Sequence, residues 1–277
     1  MESIIVTGAS TGIGYATALR LAESGALVFA GVRKEADRER MSAVHANIRP
    51  IILDVTVRAD VVRAVDVVRA SGSPLRAIVN NAGIAVAGPL EFLPVEALRN
   101  QFEVNVIGPI ALTQAALPLL RETSGRVVFI GSIASRLSAP FVGPYSASKS
   151  ALASLADALR QELAPFGISV SLLEFASVKT PIWQKGRDGK DRLIESMPPH
   201  ALHHYGELVN AIVRQTRREE HEGMEPGVIA DTVLDAIQSP RPRERYVIGR
   251  KARIQAMAAL LPPRARDALV KRVMQLP

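Results

Sequence analysis

With 277 residues, 48% of them hydrophobic, a formal charge of +7 and no cysteine, the chain is long enough for one large α/β domain and too apolar to be disordered. The absence of cysteine excludes disulfides, zinc–thiolate centres, iron–sulfur clusters and a cysteine nucleophile, and it fits a reducing, cytoplasmic compartment. Residues 1–240 carry 24 Lys and Arg against 25 Asp and Glu, whereas residues 241–277 carry 10 against 2; with only 4% aromatic residues, no nucleic-acid partner is expected.

Residues 1–8 read as a strand and its turn, with no basic and apolar leader pattern. Short β-branched runs follow at Ser3–Thr7, Leu27–Val32, Arg49–Leu53, Ala77–Asn80, Arg126–Ile130, Ser169–Glu174 and Tyr246–Ile248. Several are apolar at successive positions, as strands covered on both faces should be. Helical patterns lie between them at Gly12–Ser24, Asp60–Ala70, Val95–Leu120 and Tyr145–Ala164, with stop signals at Gly25, Gly72, Gly125 and Gly167. The alternation predicts an α/β fold, a Rossmann-type doubly wound parallel sheet of about seven strands with helices on both faces. No apolar run is long enough to span a membrane: residues 106–120 come nearest, and Gly108, Pro109, Thr113, Gln114 and Pro118 interrupt them. One domain is expected over residues 1–250, with an irregular substrate lid at 176–225 and a basic amphipathic tail at 251–277.

The first strand runs into Thr7-Gly8-Ala9-Ser10-Thr11-Gly12-Ile13-Gly14. Gly8 lets the chain turn off the strand, Gly12 lets backbone approach a pyrophosphate, and Gly14 lets the helix pack close to the sheet. The helix N-terminus then presents free N–H groups to phosphate. At the end of the second strand an acidic residue would bind a ribose 2′-hydroxyl, but this chain has Val32-Arg33. A guanidinium clamps a 2′-phosphate, so NADP(H) is expected over NAD(H).

Further stretches follow in order: Asp54-Val55, Asn80-Asn81-Ala82-Gly83, Asn105, Ser132, and Tyr145-Ser146-Ala147-Ser148-Lys149. The series, over residues 3–250, resembles the short-chain dehydrogenase/reductase family. Leu27–Arg33 is similar to its NADP-preferring members, among them retinol and 17β-hydroxysteroid dehydrogenases. The resemblance implies that Asp54 and Val55 face the adenine, that Ser10, Thr11 and Ile13 contact ribose or phosphate, and that Asn81, Ala82 and Gly83 line the cofactor. It also implies a homodimer or homotetramer built through the helices around 95–120 and 145–164.

Tyr145 and Lys149 stand four apart and share a helix face. Tyr145 is assigned as general acid in reduction and general base in oxidation, with Lys149 lowering its pKa and bonding the nicotinamide ribose. Ser132 would orient the substrate oxygen, and Asn105 would hold a water linking Lys149 to solvent. The family's Pro-Gly after strand six is replaced by Phe175-Ala176. Val178 and Thr180 remain to meet the carboxamide, while Phe175 is a candidate to narrow the pocket. His200, His203 and His204 lie at helical spacing without a nearby carboxylate, so no metal is expected.

The expected activity is reversible conversion of a small hydrophobic alcohol to its ketone or aldehyde, with Ile182, Trp183, Leu193 and Met197 lining the lid. A cofactor-binding scaffold or redox sensor and a 3-ketoacyl-carrier reductase are the alternatives. In the tail, Ile254, Met257, Ala258 and Leu261 form one apolar face, and Leu269, Val270, Val273 and Met274 another. Packing over the cleft or at a subunit contact, or peripheral contact with a membrane, would use these faces.

Overall fold

Backbone polar groups in a strand buried on both faces must pair with neighbouring strands, and the apolar runs satisfy them in one parallel sheet. The computed structural model describes residues 1–183 and 199–275. Its strands are β1 (Ser3–Val6), β2 (Leu27–Val32), β3 (Ile48–Ile52), β4 (Leu75–Asn80), β5 (Arg126–Ile130), β6 (Ser169–Phe175) and β7 (Arg245–Ile248). They pair in parallel in the order β3-β2-β1-β4-β5-β6-β7. The order reverses between β1 and β4, and a crevice at the carboxyl ends of such strands is where an open α/β sheet binds its ligand.

Side chains alternate across the sheet and make two cores. Ile4, Val6, Val28, Ala30 and Leu173 point to one face, where Leu21, Ile229 and Val233 cover them. Ile5, Phe29, Ile78, Phe129 and Leu172 point to the other, against Leu112, Leu120 and Leu152. The helices are α1 (Gly12–Glu23), α2 (Glu35–Ser42), α3 (Arg58–Ala70), α4 (Val95–Phe102), α5 (Gly108–Thr123), α6 (Gly143–Leu163), α7 (Pro199–Glu222), α8 (Pro226–Gln238), α9 (Arg250–Ala258) and α10 (Pro263–Met274).

The long helix expected at Val95–Leu120 is divided: a π-helical turn, Glu103–Ile107, separates α4 from α5. That turn buries Asn105 and Val106. The stretch Val95–Thr123 is apolar and long enough to cross a membrane, but 56% of its most apolar window is buried, and α5 packs on β4 and α3. At the end of α5 the left-handed residue is Ser124 (φ 47°) rather than Gly125. Gly125 is required for space instead, since a Cβ there would lie 2.6 Å from Leu120 Cδ2 and 2.9 Å from the Arg76 carbonyl. Leu193 and Met197 lie outside the described residues.

Candidate active site

Loops leaving β1, β2, β3 and β4 meet at the switch point. The Thr7 hydroxyl accepts from the backbone N–H groups of Asn81 and Ala82, both at 2.9 Å. The Asn81 amide donates to the carbonyls of Thr7 (2.8 Å) and Gly8 (3.2 Å). These bonds lock the glycine turn to the β4 loop. A Cβ on Gly14 would sit 2.3 Å from the Gly8 carbonyl oxygen and 2.4 Å from Asn81 Nδ2, so only glycine fits. Gly8 and Gly12 have φ of 63° and 58°. Thr11 starts α1 in extended conformation without a side-chain capping bond, leaving first-turn N–H groups for an anion. A glycine-lined cradle at a helix N-terminus fits a dinucleotide pyrophosphate.

Around this cradle Ser10, Thr11 and Ile13 are half-buried. Arg33 is exposed at the end of β2. Arg40, from α2, reaches the turn and donates from Nη2 to the Ser10 carbonyl at 2.8 Å. No motif marks Arg40 in the sequence, since its helix buries only Met41 and carries almost no apolar periodicity. Asp54 Oδ1 accepts from the Thr56 N–H (2.9 Å) and hydroxyl (2.7 Å), forming a local turn. Val55 is buried beneath Gly108, where a Cβ would approach within 2.7 Å of the valine side chain.

The second half of the site stands at the carboxyl end of β5 and the start of α6. Ser132 caps a short 3-10 turn, Ile133–Ser135, with its hydroxyl accepting from the Ala134 N–H at 3.1 Å. The Tyr145 phenol stands near enough to Ser132 for the serine hydroxyl to act on its pKa. One turn along α6, Lys149 Nζ lies 5.8 Å from the Tyr145 ring centroid and donates to the Ile130 carbonyl at 2.7 Å. Burial raises the Tyr145 pKa above the usual phenol value, and Ser132 partly opposes it. Burial also pushes Lys149 down to about 8. Burial dominates the Tyr145 shift and keeps the phenol protonated at neutral pH.

Asn105 is 1% exposed. Its Oδ1 accepts from the Ile84 N–H (2.9 Å), and its Nδ2 donates to the Ile84 carbonyl (3.0 Å) and the Ser148 hydroxyl (3.1 Å). Gly83 lies between the groups, its Cβ position 3.4 Å from Asn105 Oδ1 and 3.9 Å from Lys149 Nζ. Gln101, unmarked in the sequence reading, holds the same loop: it donates to the Ile84 carbonyl and accepts from the Val86 N–H, both at 2.7 Å. Its place four residues before Asn105 on one helix face was the available signal.

The loop after β6 reaches the glycine turn. Thr180 Cγ2 lies 3.0 Å from the Cβ position of Gly12. The Val178 carbonyl accepts from the Trp183 indole at 2.8 Å. Phe175 does not narrow the pocket: it is 6% exposed and packs in the core on the face covered by α8. Beside it, the fully buried Glu174 carboxylate accepts from the Ser135 hydroxyl and Arg136 Nε, both at 2.9 Å, and from Arg245 Nη1 at 3.2 Å. Further out, Phe92 packs edge-on against His200 (5.7 Å) and Tyr205 (5.8 Å), and the Tyr205 hydroxyl donates to Glu91 at 2.8 Å. Among the described residues no three His, Asp or Glu side chains gather as a metal site.

Comparison with known proteins places this geometry in a family. The family described as short chain dehydrogenase matches residues 2–191. The NADPH-dependent 3-dehydrocapnine reductase of Ornithobacterium rhinotracheale is 34% identical, over 97% of this chain and 96% of its own. Retinol dehydrogenase 5 of Mus musculus is 31% identical, over 99% of this chain and 89% of its own. A short chain dehydrogenase from Burkholderia cenocepacia J2315, solved in complex with NADP, superposes with a TM-score of 0.74 at 26% identity and covers 100% of both chains. Matching along nearly the whole length, in sequence and in fold, the chain belongs to the short-chain dehydrogenase/reductase family of oxidoreductases.

Proposed function

We propose that the protein is an NADP(H)-dependent oxidoreductase that interconverts a hydrophobic alcohol and its ketone or aldehyde. The observation that carries the reading is the Tyr145 phenol beside Ser132 with Lys149 one helical turn behind it, next to the glycine-lined phosphate cradle. Bound NADPH supplies the hydride in reduction, and NADP+ accepts it in oxidation. Tyr145 donates its phenolic proton to the carbonyl oxygen, and Ser132 hydrogen-bonds that same oxygen. Lys149 carries positive charge against the phenol and the ribose. Asn105, held on Ile84 and Ser148, belongs to the path that returns a proton to Lys149.

Gly8, Gly12 and Gly14 receive the pyrophosphate, Asn81, Ala82 and Gly83 line the cofactor, and Val178 and Thr180 meet its carboxamide. Arg33, exposed where an acidic residue would disfavour a 2′-phosphate, supports NADP(H), as do the NADPH dependence named for the Ornithobacterium relative and the NADP in the Burkholderia structure. Half-buried Ile182 and Trp183 support an apolar substrate, in keeping with a retinol dehydrogenase among the relatives. Exposed Val95, Ile107 and Leu155 on α4 to α6 support a homo-oligomer. NADPH oxidation with a panel of hydrophobic ketones and aldehydes tests the reading: turnover with at least one is expected, and none with any would overturn it.

Two expected results refine it. Arg33→Asp should weaken NADPH about 10- to 100-fold in KM and leave NADH nearly unaffected, because a charge-assisted bond to phosphate is replaced by repulsion. An unchanged NADPH-to-NADH preference would remove Arg33 from the site. The second concerns pH. Lys149 is a cation only below about 8, so the reduction rate should be level between about pH 6 and 7.5 and fall as pH rises through about 8. A profile level to about pH 9.5 would show that the lysine charge is not used.

A further inference from the structure

The helix α9 and the turn after it show an apolar stripe to solvent. α9 is fastened to the body from one side only: Ala252 and Ala258 are buried, and Lys251 is ion-paired with Glu219 of α7. On the solvent side Ile254, Met257 and Leu261, at i, i+3 and i+7, are 50%, 64% and 42% exposed. Leu260 beside them is 86% exposed. The apolar stripe that could have packed over the cleft therefore points outward. Arg253 lies one turn from Met257 on the same face, and among the described residues Arg250, Arg253, Arg264 and Arg272 form no ion pair. Next to Arg253 a cavity of about 610 Å³ opens between α8 and β7, lined by Arg241 and Arg243 as well as Asp235.

We infer that α9, α10 and the loop between them form a docking surface for an anionic lipid bilayer. The stripe is the right kind for insertion at the headgroup boundary: four large apolar side chains in one place, ringed by arginines whose stems extend along the apolar zone while their heads meet phosphate. Charge decides between lipid and a second copy of the chain. A two-fold contact through this face would set Arg250, Arg253 and Arg264 against their own copies, whereas a negative leaflet attracts each of them. The apolar stretch Val95–Thr123 does not compete for this role, being mostly buried. The surface is joined to the site, since α10 packs on α7, whose His200 and Tyr205 face Phe92 and Phe141.

Vesicle co-sedimentation of the full chain tests this without any use of turnover. Binding to phosphatidylcholine vesicles containing about 30 mol% phosphatidylserine is expected, with binding to pure phosphatidylcholine at least about tenfold weaker and loss in high salt. Met257→Glu with Leu260→Glu should lower binding about tenfold or more. Arg253→Glu with Arg264→Glu should do the same through charge, at about fivefold per arginine removed. All of these positions are exposed, so each variant should keep the parent melting temperature, which verifies folding. No binding to anionic vesicles, or equal binding by the Met257/Leu260 variant, would overturn the proposal. Failure to bind vesicles, together with a dimer that Leu260→Glu dissociates in sedimentation velocity, would assign the face to a second copy.

Discussion

Tyr145→Phe is expected to lower kcat for carbonyl reduction by about 10²- to 10⁴-fold, with little change in NADPH affinity or melting temperature. The substitution deletes one oxygen and keeps the ring that stacks beneath Lys149 Nζ. Ser132 still accepts from the Ala134 N–H, so the stability cost should stay under about 1 kcal/mol. The whole effect should therefore fall on proton transfer. Burial holds the phenol protonated at neutral pH, so it stands ready as an acid, and reduction should be the easier direction there. Alcohol oxidation needs the phenolate and should gain as pH rises. Stopped-flow NADPH oxidation gives kcat, and cofactor fluorescence gives affinity. Unchanged kcat would remove Tyr145 as the acid; a protein that binds NADPH normally but never turns over, with or without the hydroxyl, would be the scaffold.

The sheet was legible because both-face burial writes itself into a strand locally: β2 and β5 have the expected bounds, and the other strands differ by a residue or two. The helix α2 was not, because in its sequence EADRERMS only Met41 is buried and nothing marks an apolar face. The π-helical turn was hidden for a different reason. It exists to aim Asn105 at Ile84 and Ser148, partners 21 and 43 residues away, and no local pattern records them. The catalytic spacing Tyr145-x3-Lys149 was readable as one helix face. The balance of pKa effects within it was not, since that depends on how much protein covers each group. The tail shows the same limit: helical periodicity located its apolar stripe, but only packing decides whether a stripe faces the body or solvent.

The other large effect belongs to a residue with no motif. Glu174→Ala is expected to destabilise the fold by about 3 kcal/mol. The carboxylate is fully buried and collects the Ser135 hydroxyl and the guanidinium groups of Arg136 and Arg245; Arg245 is also paired with Asp157 on α6. Removing it leaves two guanidinium charges without their shared acceptor beside β6. Both arginine side chains are about 30% exposed, so water recovers part of the loss, which keeps the estimate at the lower end for a broken buried pair. Activity should suffer beyond stability. Ser135 and Arg136 belong to the turn that Ser132 caps, and Ser150 of α6 donates to the Ser135 carbonyl at 2.8 Å, so Glu174 anchors the serine relative to Tyr145. Glu174→Gln keeps the shape and loses the charge, and should cost about half as much in stability. Urea unfolding and kcat measured on both variants separate the two roles. If Glu174→Ala unfolds at the parent urea midpoint, the carboxylate is no keystone. If it is destabilised while kcat of the folded fraction is unchanged, Glu174 supports the fold without positioning Ser132.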